Sequence, residues 1–256
     1  MNDLEVARRA ARAGADIIRR AFGKATSAEW KGDANPVTLV DQEAETAILG
    51  VLAESRPGDA TLAEESGGQS FEEGRVWIVD PLDGTVNFLH GIPQLAVSVA
   101  LWIDGRAEVA DIIDVCRAEE FTAAQGRGAW LGETPITVSP QTDLGASLVA
   151  TGFPYDRNVH GRRYAAIMGE VLVRVRGIRR IGSAALDLAW VACGRYEGYW
   201  EFGIQPWDAA AGVLLVEEGG GRISDLEGDP HRLDDAAIVA SNASIHEPLL
   251  AALHSA

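Results

Sequence analysis

Asp80 and Asp83 stand three residues apart in the run Trp77-Ile78-Val79-Asp80-Pro81-Leu82-Asp83-Gly84-Thr85-Val86-Asn87-Phe88. Trp77 to Val79 are large and β-prone, and predict the end of a buried strand. Asp80 closes that strand, because Pro81 cannot donate to a sheet ladder. Gly84 and Thr85 then open a new element whose first N–H groups have no helical acceptor. Carboxylates beside free amide donors suit two ligands at once, a hard cation and the phosphate it neutralises. A strand, a turn and a helix-capping aspartate would account for this pair alone just as well. Asp208, at the start of a predicted helix, either completes a cation site or serves only as an N-cap. Asp41 and Glu45 lie one helical turn apart and share a face. A ligand set made of oxygen, without His or Cys, selects Mg²⁺ or Mn²⁺ over zinc.

These residues need elements to carry them. Leu4, Ala7, Ala11, Ala15, Ile18 and Phe22 recur at helical spacing and predict an amphipathic helix ended by Gly23. Val37 to Asp41 lead into a second helix with Ala44, Ile48 and Leu52 on one stripe. A short strand, Thr61 to Ala63, delivers Glu64 and Glu65, and the polar, Gly-rich stretch 67–74 reads as a mobile loop. An antiparallel series follows: Ala96 to Trp102, a hairpin turn at Asp104-Gly105, Ala107 to Val115, Glu120 to Ala123 and Gly128 to Leu131. From about Leu144 strands and helices alternate, with strands at 147–151, 178–181, 198–202 and 238–241. The helices between and after them fall at 162–171, 183–192, 208–217 and 245–253. The expected fold class is α/β, with residues 1–143 an α+β half and residues 144–256 an α/β half. No linker separates the halves, so they are expected to pack tightly with the site between them.

The chain of 256 residues is long enough for a sizeable core. Its formal net charge of −16, from 38 acids and 22 bases, repels nucleic acid and anionic membrane. It also repels phosphorylated substrates unless metal ions reverse the sign locally. Most of these acids need do no more than keep the protein soluble. Cys116 and Cys193 are far apart and form no CxxC pair, which predicts reduced thiols and a cytoplasmic protein. Met1 to Phe22 is interrupted by Asp3, Glu5 and Asp16, unlike a signal peptide or a membrane span.

The string Asp80-Pro81-Leu82-Asp83-Gly84-Thr85-Val86-Asn87-Phe88 resembles the first signature of the inositol monophosphatase family. Ala63-Glu64-Glu65-Ser66 is similar to that family's Glu-Glu-Ser segment. Trp207-Asp208-Ala209-Ala210-Ala211-Gly212 with Glu217-Glu218-Gly219-Gly220 is similar to its second signature. The matches keep the family's order and spacing over residues 31–221. Leu131-Gly132 stands where the family has Asn-Gly, a departure that touches only turn detail. The resemblance implies a layered αβαβα sandwich of the inositol monophosphatase and fructose-1,6-bisphosphatase type. It implies two or three Mg²⁺ ions, or Mn²⁺ in their place, held by Glu64, Asp80, the Leu82 carbonyl, Asp83 and Asp208. Thr85 would position the attacking water, oriented by Asp41, with Glu64 helping to take its proton. Lys31 becomes a supporting charge near the metals. Asp83 and the N–H groups of Gly84 and Thr85 fall on the substrate phosphate; Gly182, Ser183, Ala184 and Glu201 match the polyol-contacting positions of the bacterial branch. An acid on an exposed edge strand would account for Glu201 without any substrate.

The expected activity is Mg²⁺-dependent hydrolysis of a phosphate monoester, inositol 1-phosphate first, by water attacking phosphorus in line. A sibling phosphatase acting on histidinol phosphate, fructose 1,6-bisphosphate or a nucleotide 3′-phosphate would share the same acids. A family member with an added regulatory binding role stays open as well. The expected partner is a small phosphate monoester, with no nucleic acid and no membrane, in a cytoplasmic homodimer.

Overall fold

The computed structural model describes residues 1–24, 29–30, 36–37 and 39–255, with no side-chain placement for 29–30 and 36–37. In chain order the first elements are α1 (Asp3–Ala21), β1 (Glu29–Trp30), β2 (Pro36–Val37), α2 (Leu39–Ser55), β3 (Ala60–Ala63) and β4 (Gly67–Gly68). Then come β5 (Arg75–Asp83), the single-turn α3 (Thr85–Leu89), β6 (Ala96–Ile103), β7 (Arg106–Asp114), β8 (Glu119–Ala124), β9 (Ala129–Leu131) and β10 (Thr134–Ile136). A 3₁₀ turn at Leu144–Ala146 leads to β11 (Leu148–Thr151), α4 (Arg157–Leu172), β12 (Gly177–Arg179) and α5 (Ala184–Ala192). The chain ends with β13 (Gly198–Phe202), α6 (Pro206–Glu218), β14 (Arg222–Ser224), β15 (Ala237–Ser241) and α7 (His246–Leu253).

Two sheets hold the molecule. The larger runs β10-β9-β8-β7-β6-β5-β3-β4, and the smaller runs β12-β11-β13-β15-β14. Helices α1 and α2 pack on one face of the larger sheet. Helices α5 and α6 fill the space between the sheets, and α4 and α7 pair on the outer side of the smaller one. The result is the expected layering of helix, sheet, helix, sheet, helix. Burial follows from it. α1 has one dry face, made of Val6, Ala7, Ala10, Ala11, Ala15 and Ile18, with arginines on the other. α5 is covered by a sheet on each side, so it carries apolar residues all round, Ala185, Leu186, Leu188, Ala189 and Val191 among them.

Most predicted elements fall where the sequence places them, and three differ. Asp80 and Pro81 do not end a strand: β5 continues to Asp83 through a register shift between Asp80 and Asp83. Gly67 and Gly68 are not in a loop but pair with Ala63 and Leu62, covering the outer edge of β3. α4 begins at Arg157, well ahead of the expected Arg162. Lys31 lies outside the described residues.

Candidate active site

Every predicted site residue among the described ones, Asp41 excepted, lines one pocket of about 470 Å³. The topology explains the convergence. β3 and β5 are parallel, and Glu64 follows the last residue of β3 while Asp80 and Asp83 close β5. β11, β12 and β13 are also parallel. Gly152 follows β11, the Arg180–Ala184 turn follows β12, and Glu201 is near the end of β13. All these residues sit at carboxyl ends of strands, where an open α/β sheet leaves a crevice for ligands. A second hollow of about 600 Å³ lies at the opposite ends, against Leu148, Gly177 and Glu197. It has a single carboxylate in its lining, Glu197, and that one is held by the Leu148 N–H at 2.6 Å. The other charged groups in that lining are Arg176, Arg179 and Arg195, so a carboxylate cluster is found in the acidic pocket and not there.

The β5 irregularity is what makes the aspartate pair work. In a regular strand, residues three apart point to opposite faces. Asp80 pairs with Ser98 and Asp83 with Ala96, so three steps on β5 match two on β6. That extra residue is a bulge, and it accommodates Pro81, which has no N–H to give. Ser98 and Ala96 are two apart and share a face, so Asp80 and Asp83 share one too. The Leu82 N–H donates to Asp80 Oδ1 at 3.0 Å, and Thr85 Oγ1 donates to the Leu82 carbonyl at 3.1 Å. Gly84 turns the chain with φ +97°, and a Cβ there would sit 2.7 Å from the Gln94 carbonyl oxygen. Asp41 and Glu45 are both buried on α2, so neither is the solvated acid that a bare helix would show. Glu45 accepts from the Glu65 N–H at 2.8 Å, and of the two adjacent glutamates Glu64 lines the pocket.

Contacts between distant turns complete the wall. Asp83 Oδ2 accepts from Ser183 Oγ at 2.6 Å and from the Ala185 N–H at 2.8 Å, tying β5 to the start of α5. Asn87 Nδ2 donates to the carbonyls of Gln94, Ile181 and Gly182, at 3.0, 2.8 and 3.1 Å. Asp208 is not an N-cap. Gln205 holds that position, and Asp208 is the third helical residue, reaching back to the Gln205 N–H at 2.9 Å. Glu201 is not on an edge: β13 is central, between β11 and β15. The Tyr199 hydroxyl donates to its carboxylate, and a Cβ at position 152 would overlap that carboxylate, so Gly152 makes its room.

Asn87, Gly152, Tyr155, Arg157, Arg180 and Asp187 also shape the wall, and the sequence reading assigns none of them a role. The clue to Gly152 is a strand followed by Gly152-Phe153-Pro154, which stops a strand and needs close approach. Asp187 is buried on α5 with Oδ1 unpartnered.

The electrostatics are those of crowded acids. Burial first, then Glu64, Asp83 and Asp208, holds the Asp80 carboxyl well above the usual carboxylate range. Burial, then Asp83, does the same to Asp208. Burial lifts Asp83 to about 6, against the opposing pull of its bonds to Ser183 and Ala185. Glu201 is pushed to about 7, again by burial first, with Asp83 adding and Tyr199 and Arg180 opposing. A divalent cation would relieve this repulsion, and Glu64, Asp80, Asp83, Asp208 and the Leu82 carbonyl offer oxygen alone. The donor set therefore fits Mg²⁺ in its chemistry. Among the described residues no three His, Cys, Asp or Glu side chains form a closed ligand cluster.

The chain resembles known proteins along its whole length. The Nus factor SuhB of Pseudomonas aeruginosa is 42% identical over 257 residues, covering 96% of this chain and 94% of that protein. The inositol-1-monophosphatase of Mesorhizobium japonicum is 40% identical over 239 residues, covering 92% and 90%. The crystal structure of the extragenic suppressor protein suhB from Bartonella henselae superposes with TM-score 0.93 at 38% identity, covering 98% of each chain. The profile of the inositol monophosphatase family matches residues 2–256, and so takes in both sheets and every acid of the pocket. With layered fold, acidic pocket and full-length match in agreement, this chain belongs to the inositol monophosphatase family, a family of phosphatases.

Proposed function

We propose that the protein hydrolyses phosphate monoesters of polyols, inositol 1-phosphate foremost, with Mg²⁺ as cofactor. The observation that carries this reading is the single pocket in which Glu64, Asp80, Asp83 and Asp208 share a wall with Glu201. The first four, with the Leu82 carbonyl, would hold the cation, and Lys31 would lend a supporting charge. When bound, the metal neutralises phosphate charge and acidifies water. The protein's own groups do the rest. Thr85, its hydroxyl proton held by the Leu82 carbonyl, offers its oxygen lone pair to the water and positions it on the far side of phosphorus from the leaving oxygen, with Asp41 in the supporting role that the family resemblance implies. Glu64 accepts the water's proton. The N–H groups of Gly84 and Thr85 take phosphate oxygens. A water oxygen–phosphorus bond forms as the bond from phosphorus to the alcohol oxygen breaks, and the departing alkoxide takes a proton from solvent to leave as the alcohol. Ser183 has committed its proton to Asp83, so it offers the polyol a lone pair. Gly182 and Ala184 flank it, and Glu201 accepts from ring hydroxyls.

The test is metal removal with two substrates. Activity on inositol 1-phosphate should vanish with EDTA, return with Mg²⁺, and exceed activity on histidinol phosphate. Full activity in stripped protein would overturn the mechanism, and the reverse preference would overturn the polyol assignment. A second reading, an added Nus-factor role, is favoured by the name of relatives that the chain matches at 41–42% identity.

A further inference from the structure

An enzyme for phosphate dianions with a formal charge of −16 must still attract its substrate. The pocket makes this harder, because Glu64, Asp80, Asp83, Asp187, Glu201 and Asp208 all line it. Two cations share that lining among the described residues, Arg157 and Arg180. Both are exposed, and neither is neutralised by a carboxylate partner among the described residues. The protein's other surface arginines are often committed, as Arg195 is to Glu119 and Arg12 to Glu120, both at 2.6 to 2.8 Å.

What holds the two in place is aromatic. The Arg157 guanidinium lies over the Tyr155 ring, 5.6 Å from its centre, and Arg180 lies over the Phe153 ring at 5.8 Å. Tyr155 and Phe153 line the pocket themselves. A guanidinium stacked on a ring keeps its N–H edge free for an anion. The positions are complementary. Tyr155, under Arg157, feels the charges of Glu64 and Asp208 at the metal end. Arg180 feels Glu201 and Asp187 at the polyol end.

We propose that Arg157 and Arg180 form a stacked pair of cationic gate residues that draws the phosphate dianion over the acidic rim. Among the described residues no hydrogen bond or ion pair joins either arginine to Glu64, Asp80, Asp83 or Asp208, so their role lies in capture and orientation. The inference rests on the phosphatase reading above for its substrate, and on the arginines alone for its sign.

The experiment compares wild type, Arg157→Glu/Arg180→Glu and Arg157→Lys/Arg180→Lys in the full chain with saturating Mg²⁺, on inositol 1-phosphate across ionic strength. Charge reversal should lower kcat/KM about 10-fold or more at low salt, most of it in KM, within the range of steering effects. The slope of log kcat/KM against ionic strength should turn positive in the Glu pair, because salt then screens a repulsion. The Lys pair should recover the wild-type slope. Equal slopes in wild type and Glu pair, or a loss confined to kcat, would overturn the gate while leaving the phosphatase reading intact. If wild type hydrolyses no monoester, that reading falls, and calorimetric titration with inorganic phosphate decides the gate. Binding weakened about 10-fold in the Glu pair would support it, and equal binding would overturn it.

Discussion

In the function proposed above Glu201 carries the choice of substrate, and its surroundings say how. Its carboxylate is packed against Gly152, bonded by Tyr199 and lifted to about 7 by burial, so it meets a ligand as a poorly solvated acceptor. A hydrogen bond to such a charged group is worth roughly 1.5–3 kcal/mol. Glu201→Gln keeps the shape and removes the charge. Its kcat/KM should fall about 10-fold further on inositol 1-phosphate than on p-nitrophenyl phosphate, which has no hydroxyls to recognise. Equal losses on the two substrates would assign Glu201 to the metal end instead. The resemblance implies a polyol contact at Glu201, but nothing near it in sequence shows that it is buried. Its neighbour Gly152 directly follows β11, and only the parallel pairing of β11 with β13 brings the two together.

At the scale of elements, local rules predict the right pieces and miss where tertiary contacts override them. Pro81 ought to stop β5, yet the bulge removes the need for its N–H and the strand goes on. Gly67 and Gly68 look too flexible for a strand, but β3 offers an edge to pair with. α7 illustrates a junction with no sequence signal. His246 is fully buried at its start, and its ring joins Ser224 of β14 to Ser241 of β15, each at 2.8 Å. Ser224 gives its proton to the Asp225 carbonyl and Ser241 accepts from the Ala243 N–H. The ring therefore donates through Nε2 and accepts through Nδ1, a neutral tautomer assigned from the network. Burial, then Arg222, depresses His246 from 6.5 to about 4, with Glu247 opposing. A depressed histidine contributes stability that is present above its unfolded value near 6.5 and lost as pH falls toward 4. Urea midpoints should therefore fall more steeply from pH 6.5 to 4 in wild type than in His246→Leu. At pH 7.5 that variant should be less stable by about 1–3 kcal/mol, because it leaves buried hydroxyls unpaired. Parallel pH curves for the two proteins would contradict the assignment.

Across the whole molecule, the change of pattern near Leu144 is readable because strands begin to alternate with helices, whereas the depth of the site is not. The acids come from both sheets and from α6, and their crowding exists only once α5 and α6 are clamped between the sheets. Such crowding works against folding. Buried, mutually repelling carboxylates hold Asp80 and Asp208 far above their ordinary values, which destabilises their charged forms at neutral pH. A cation bound by the native pocket and not by the unfolded chain reverses the sign. At a hundredfold excess over its Kd it adds about 2.7 kcal/mol. For a chain of this size that corresponds to a rise in Tm of about 5–10 °C. Asp80→Asn separates the two effects, since the amide oxygen can still accept from the Leu82 N–H. Calorimetric scans should show the variant melting at or above metal-free wild type, with the Mg²⁺-dependent rise largely gone. If excess Mg²⁺ leaves the wild-type Tm unchanged, the acids are not a cation site. If Asp80→Asn keeps the full rise, the cation lies elsewhere in the molecule.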